Sequence, residues 1–187
     1  MLALGGGRNV VESLKEIHLM PVSISYEFDP NDYLKAKEFL MKSKDPGFKK
    51  SQRDDLFSME TGLLQYKCRV HFTFTGCIND ELDRIPADTD KNELVRHICH
   101  IIDRAIHLNY RFYPCNYISF DTMEGGDRFA CHYTAEEKAE FLNYVEGQLA
   151  KVDIPVEPAD VEYMRRMILT MYSNPLRNHL AALDEVK

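Results

Sequence analysis

The sequence predicts an α/β fold with a mixed sheet of few strands and a helical C-terminal third, on three observations. Residues 18–28 and 67–76 alternate apolar and polar side chains with the period of a β-strand. Residues 91–110 carry Leu94, Ile98, Ile101, Ile102, Ala105 and Leu108 as one apolar stripe at helical spacing. From Thr134 onward each segment opens on a capping residue or a proline that starts a helix. At 187 residues and 44% apolar composition the chain can bury roughly 70% of the surface it exposes when unfolded, which excludes wholesale disorder.

Taken in order, Asn9 caps a short helix whose Val10, Leu14 and Ile17 share a face. The three glycines before it, Gly5 to Gly7, read as a hinge; no strand precedes them, so a phosphate-cradling loop is disfavoured. Pro21 then opens a strand in which Val22, Ile24, Tyr26 and Phe28 alternate with small or polar residues. Asp29-Pro30 ends that strand and begins a helix to about Lys42, with Tyr33, Ala36, Phe39 and Leu40 inward. Asp45-Pro46-Gly47 is a turn before a helical piece ending near Gly62. The second strand places Val70, Phe72 and Phe74 on one face and His71, Thr73 and Thr75 on the other. Residues 116–123 are ambiguous and lean towards helix. Thr134 with Glu137 forms a capping box for a helix to about Lys151. Pro158 starts another helix to about Tyr172, and Asn174-Pro175 repeats the signal for a last one.

Charge narrows the function. The chain carries 23 basic against 30 acidic residues, net −7, so a general nucleic-acid binder is not expected. The longest uncharged stretches reach about half the ~20 residues a spanning helix needs. The expected location is cytoplasmic, with contact on the inner face of a membrane as the peripheral alternative. Five widely spaced cysteines, an odd number, read as buried or idle thiols, with Cys99 in the core. Between Lys35 and Arg53 seven cations face two carboxylates, locally about +5. This patch reads either as a solvated face or as a dock for a phosphate group, an anionic carrier or an anionic membrane. His97, Cys99, His100 and Asp103 lack the converging ligands a metal needs, so neither metal nor cofactor is expected. Cys131-His132 lacks an orienting third group, and Glu124 to Arg128 reads as a turn with a surface ion pair.

The run from His18-Leu19-Met20-Pro21-Val22-Ser23-Ile24-Ser25-Tyr26-Glu27-Phe28-Asp29-Pro30 through Phe39 resembles a segment of the glycerolipid acyltransferase superfamily, in its 1-acylglycerol-3-phosphate and glycerol-phosphate acyltransferase-like group. Phe48-Lys49-Lys50-Ser51, Tyr66-Lys67-Cys68-Arg69-Val70-His71-Phe72 and Tyr110-Arg111-Phe112-Tyr113-Pro114-Cys115-Asn116-Tyr117-Ile118 look like later parts of it, so the resemblance covers roughly Leu2 to Gly126. It implies transfer of an acyl chain from acyl-CoA or acyl carrier protein to a lysophospholipid or glycerol phosphate, in phospholipid biosynthesis.

That family uses a His and an Asp five residues apart as base and orienter, a glycine-rich motif with Arg and a Glu-Gly-x-Arg motif for the phosphate, and a hydrophobic strand with a Pro. Only the last is placed here, as Met20-Pro21-Val22-Ser23-Ile24, with Pro21 the matching residue. The one literal His-to-Asp spacing, His179 to Asp184, falls after the Pro21 segment, against the family order, and Glu124-Gly125 echoes the third motif out of order. The resemblance therefore implies a partial acyltransferase-like domain over 1–126, its catalytic motifs upstream, with a helical extension over 127–187. No catalytic residue is expected on this chain. The expected substrate contacts are Pro21, Lys49, Lys50 and Arg53. The alternative is a non-enzymatic module docking on an anionic carrier or membrane through the Lys35 to Arg53 patch. Self-association into a homo-oligomer is also expected, because a partial domain leaves apolar surface uncovered.

Overall fold

The computed structural model describes residues 9–185, so Gly5 to Gly7 lie outside the described residues. Two compact units are present. Unit one takes the chain up to Ser25, His71–Arg111 and the chain from Asn178; unit two takes Tyr26–Val70 and Phe112–Arg177.

In unit one, α1 (Val10–Glu16) starts where Asn9 Oδ1 accepts the Val11 N–H at 3.0 Å. A short α4 (Asn79–Leu82), which no sequence signal marked, and α5 (Lys91–Leu108) complete its helices up to Arg111. Leu14, Ile78, Leu82 and Ile98 meet in its core. Asp90 starts α5 by accepting the Asn92 N–H. Cys99 is exposed rather than in the core, because the buried face of α5 runs through Ile98, one residue and about 100° away.

Strands β1 (Val22–Tyr26) and β2 (Val70–Phe74) form an antiparallel ribbon, not the mixed sheet expected. The pairing is fixed by Thr75 N–H on the Pro21 carbonyl at one end and Glu27 N–H on the Arg69 carbonyl at the other. No third strand joins them among the described residues. The period of two is as expected, but the apolar face is the open one. Ser23 and Ser25 are fully buried while Ile24 and Tyr26 are exposed, and Phe72 and Phe74 are 53% and 70% exposed. Ser25 faces inward because its Oγ accepts the Arg111 N–H at 2.9 Å, a bond that no apolar side chain could make.

Unit two is helical around one core. It holds α2 (Asp32–Lys44), α3 (Gln52–Leu64), α6 (Pro114–Glu124), α7 (Ala135–Leu149) and α8 (Pro158–Asp184) as far as Arg177. Ala36 and Leu40 of α2, Ile118 of α6, Phe141 and Val145 of α7, and Met164 and Ile168 of α8 are packed together. Helix α2 starts two residues later than the Asp29-Pro30 signal suggests, because Asp29 Oδ1 accepts the Asn31 N–H and holds a turn there. Phe39 lies on its outer side, 47% exposed. Pro114 stands at the first position of α6, which resolves the ambiguous segment as helix. Thr134 and Glu137 cap α7 reciprocally as expected.

The two expected C-terminal helices are a single helix, α8, with Pro175 inside it. Tyr172 and Leu176, on either side of the Asn174-Pro175 signal, are both buried, and their packing outweighs the one ladder bond that proline removes.

Candidate functional site

A cleft of about 630 Å³ opens in unit two between α2, the start of α3 and the segment after α7. The local sequence builds its rim. Asp45 accepts the Gly47 N–H on its side chain and the Phe48 N–H on its carbonyl, so the chain reverses and brings Phe48 and Lys50 back over α2. Ser51 and Asp54 then cap α3 reciprocally. At Gly62 a β-carbon would stand 2.7 Å from Asn31 Nδ2, so the glycine lets α3 lie close on the start of α2 without moving the Asn31 side chain.

The cleft is amphipathic. Lys37, Lys50, Arg53 and Lys151 supply cations, and Leu34, Met41, Phe48 and Phe57 supply apolar wall. Folding neutralises most of the basic patch. Lys37 pairs with Asp153 at 2.5 Å, Lys44 with Asp160 at 2.5 Å and Lys35 with Asp29 at 2.5 Å, while Lys42 and Lys50 grip the two oxygens of Glu38. Those two ammonium groups hold the Glu38 carboxyl below its ordinary pKa, so it stays ionised and does not serve as a base near neutrality. Among the described residues Lys49 and Arg53 enter no ion pair, which leaves them as the cations of the patch open to an anion.

Beneath α2 lies a polar cluster that the sequence reading missed. Asp32, fully buried, accepts from the Tyr33 N–H at 2.6 Å, Gln148 Nε2 at 2.5 Å, Tyr144 Oη at 2.8 Å and Tyr172 Oη at 2.9 Å. Tyr172 Oη in turn accepts the Asp29 N–H. Burial raises the Asp32 pKa to about 6, and the hydrogen bonds oppose that shift. The same burial pushes the Tyr144 and Tyr172 phenols up, so both remain donors. In sequence Asp32 looks like an ordinary first-turn helix acid; nothing local marks its burial.

Of the expected substrate contacts, Lys50 and Arg53 line the cleft. Lys49, just before Lys50, is exposed and is not part of its wall. Pro21 belongs to unit one, where its carbonyl accepts both the N–H and the hydroxyl of Thr75. His179 and Asp184 both sit on α8; five residues apart on a helix, their side chains diverge by about 140°. The His179 Nδ1 lies 2.9 Å from the His107 carbonyl oxygen. Glu124 pairs with Arg177 at 2.6 Å rather than with Arg128, whose guanidinium lies over the Phe129 ring. Gly125, at φ +67°, ends α6 in the left-handed conformation. Of the five cysteines, Cys115 alone is buried, its thiol donating to the Glu27 carbonyl. Among the described residues no three potential ligands converge on a metal position, and no helix is long and apolar enough to cross a membrane.

No protein-family model matches the chain, and no curated protein or solved structure is significantly similar to it.

Proposed function

We propose that the chain is the C-terminal portion of an acyltransferase that moves an acyl group from acyl-CoA or acyl carrier protein to a lysophospholipid or glycerol phosphate. Its part is to complete the fold and to bind the acceptor, and the reacting groups lie on the rest of the enzyme. The observation that carries this reading is the β1–β2 ribbon. Two strands alone are marginal in water, both outer edges offer unpaired N–H and C=O groups, and the face with Ile24, Phe72 and Phe74 is uncovered. Such a ribbon is what part of a larger sheet looks like, and the strand with Pro21 is the segment that resembles the family.

The cleft supports the second half of the proposal. It offers Arg53 to a phosphate and Phe48, Met41 and Phe57 to an acyl chain. The docking-module alternative is weakened by the pairing of Lys35, Lys37, Lys42, Lys44 and Lys50, which leaves little free charge for an anionic surface.

The test is acyl transfer to 1-acylglycerol-3-phosphate by this chain beside a form extended upstream at its own locus. Activity in the extended form alone is the expected result. Turnover by this chain alone would bring His179 and Asp184 back into consideration, and inactivity of both would remove the acyltransferase reading. In the active form, reversing Lys49, Lys50 and Arg53 to glutamate is expected to raise the acceptor KM by about tenfold or more with kcat little changed. An unchanged KM would remove those residues from acceptor binding.

A further inference from the structure

Helix α3 is the most exposed helix of unit two. Thr61 is its one buried residue, and on the opposite side Leu56, Met59 and Leu63 are 60%, 70% and 78% exposed. Phe57 and Leu64, 50% and 70% exposed, border neighbouring openings on another side of the helix. The stripe of Leu56, Met59 and Leu63 borders neither. Its spacing of three and four residues makes a seam about 60° wide, with Leu56 and Leu63 one heptad apart. On the helix surface Arg53 and Glu60 stand between this seam and Phe57 and Leu64, so the exposed apolar residues form a stripe broken by charge, which suits a single partner helix on the seam better than the continuous apolar face that lies in a lipid surface.

The residues flanking the seam choose the partner. On one flank stand Arg53 and Glu60, seven apart; on the other, Asp55 and Gly62. Among the described residues neither Arg53 nor Glu60 has an ion pair or hydrogen-bond partner for its side chain. If two copies of α3 pack side by side in parallel, each flank meets the other flank, and Asp55 of one copy faces Glu60 of the other, acid against acid, twice. If they pack antiparallel, each flank meets its own counterpart. Arg53 of one copy then faces Glu60 of the second, the pair occurs twice by symmetry, and Asp55 faces only Gly62. Leu56 lies on Met59 across the seam, and Gln52 on Leu63.

We infer that α3 is a self-complementary docking helix, and that two copies of this chain associate through an antiparallel α3–α3 pair related by a two-fold axis. The interface is short, about 20 Å of helix, so the dimer is weak and concentration-dependent. This inference stands independently of the acyltransferase reading. Because Arg53 also borders the cleft, its test reads oligomeric state and not activity.

The test is sedimentation velocity of the purified chain from micromolar to millimolar concentration. The wild-type chain is expected to shift from monomer to dimer. Met59→Lys, at a solvent-facing position the fold does not depend on, is expected to remain monomeric. Arg53→Glu and Glu60→Arg are each expected to weaken association about tenfold, since each turns two attractions into repulsions. The double variant, which restores opposite charges in exchanged places, is expected to recover dimerisation. An equimolar mixture of the two single variants is expected to associate more tightly than either alone. A monomeric wild-type chain at millimolar concentration, single variants without effect, or a double variant as weak as the singles would each overturn the inference. So would a monomeric chain whose binding to phosphatidylcholine vesicles is lost with Met59→Lys, which would assign the seam to a lipid surface.

Discussion

Replacing Asp32 by asparagine is expected to change the shape of the stability profile between pH 4 and pH 7, raising the variant relative to the wild type by about 3 kcal/mol across that interval. The cause is the burial of the carboxyl, which lifts its pKa from an ordinary 3.8 to about 6 in the folded chain. Below pH 4 the group is neutral in both states and contributes its full share to stability. Between 4 and 6 the unfolded chain releases the proton while the folded chain keeps it, so the folded state binds more protons and loses stability as pH rises. Above 6 the loss is complete, and a shift of about two pH units corresponds to about 3 kcal/mol. Asparagine cannot ionise and keeps the shape, so its profile lacks this fall. Urea titrations of both proteins at pH 4, 5, 6 and 7 measure it; parallel profiles would falsify the assignment. Tyr172→Phe sharpens the test. It removes one of the donors that favour the ionised form, so the Asp32 pKa moves further up and the fall shifts to higher pH.

How far the sequence carried the structure can be judged from particular residues. Caps and turns were legible because they are local: Asn9, Thr134 with Glu137, and Asp45-Pro46-Gly47 act within three residues and do so in the fold. The strand periods were legible too, but not which face would be covered. That depends on the Arg111 N–H reaching Ser25 from 86 residues away, and on the absence of any described element over Ile24 and Phe72. The Pro175 signal failed because buried neighbours on both sides overrode a local preference. Lys50 and Arg53, which line the cleft, belong to the charge run, but a charge run says nothing about which members will be neutralised. Partners such as Asp153 and Asp160 are more than 100 residues distant from the lysines they meet. Asp32 was invisible for the same reason, since three of its four donors come from α7 and α8.

Replacing Arg69 by methionine is expected to cost about 2 kcal/mol at pH 7, and the cost is expected to shrink as pH falls. Arg69 closes the end of the ribbon: its Nε and Nη2 donate to the two oxygens of Glu27 at 2.8 and 2.6 Å, and its guanidinium lies 5.0 Å from the centre of the Tyr113 ring. Glu27 is the partner at risk, being 8% exposed against the arginine's mostly open side chain. Methionine keeps the stem that packs on Tyr113 but leaves the carboxylate half of the pair buried and unmatched. Hydrogen bonding to Arg69 holds the Glu27 pKa below its ordinary value. Its contribution is therefore present above the unfolded pKa and is lost as pH falls through the lower folded one, the reverse of Asp32. The variant should fall below the wild type at neutral pH and approach it in acid; a difference that stays constant down to pH 3 would mean that Arg69 acts through its contact with Tyr113 and not through its charge. Because the two carboxyls slope in opposite directions, the Asp32→Asn, Arg69→Met double variant is expected to show the two changes added together. Asp32 and the Glu27–Arg69 pair share no hydrogen-bond partner, and independent sites add to within about 0.5 kcal/mol.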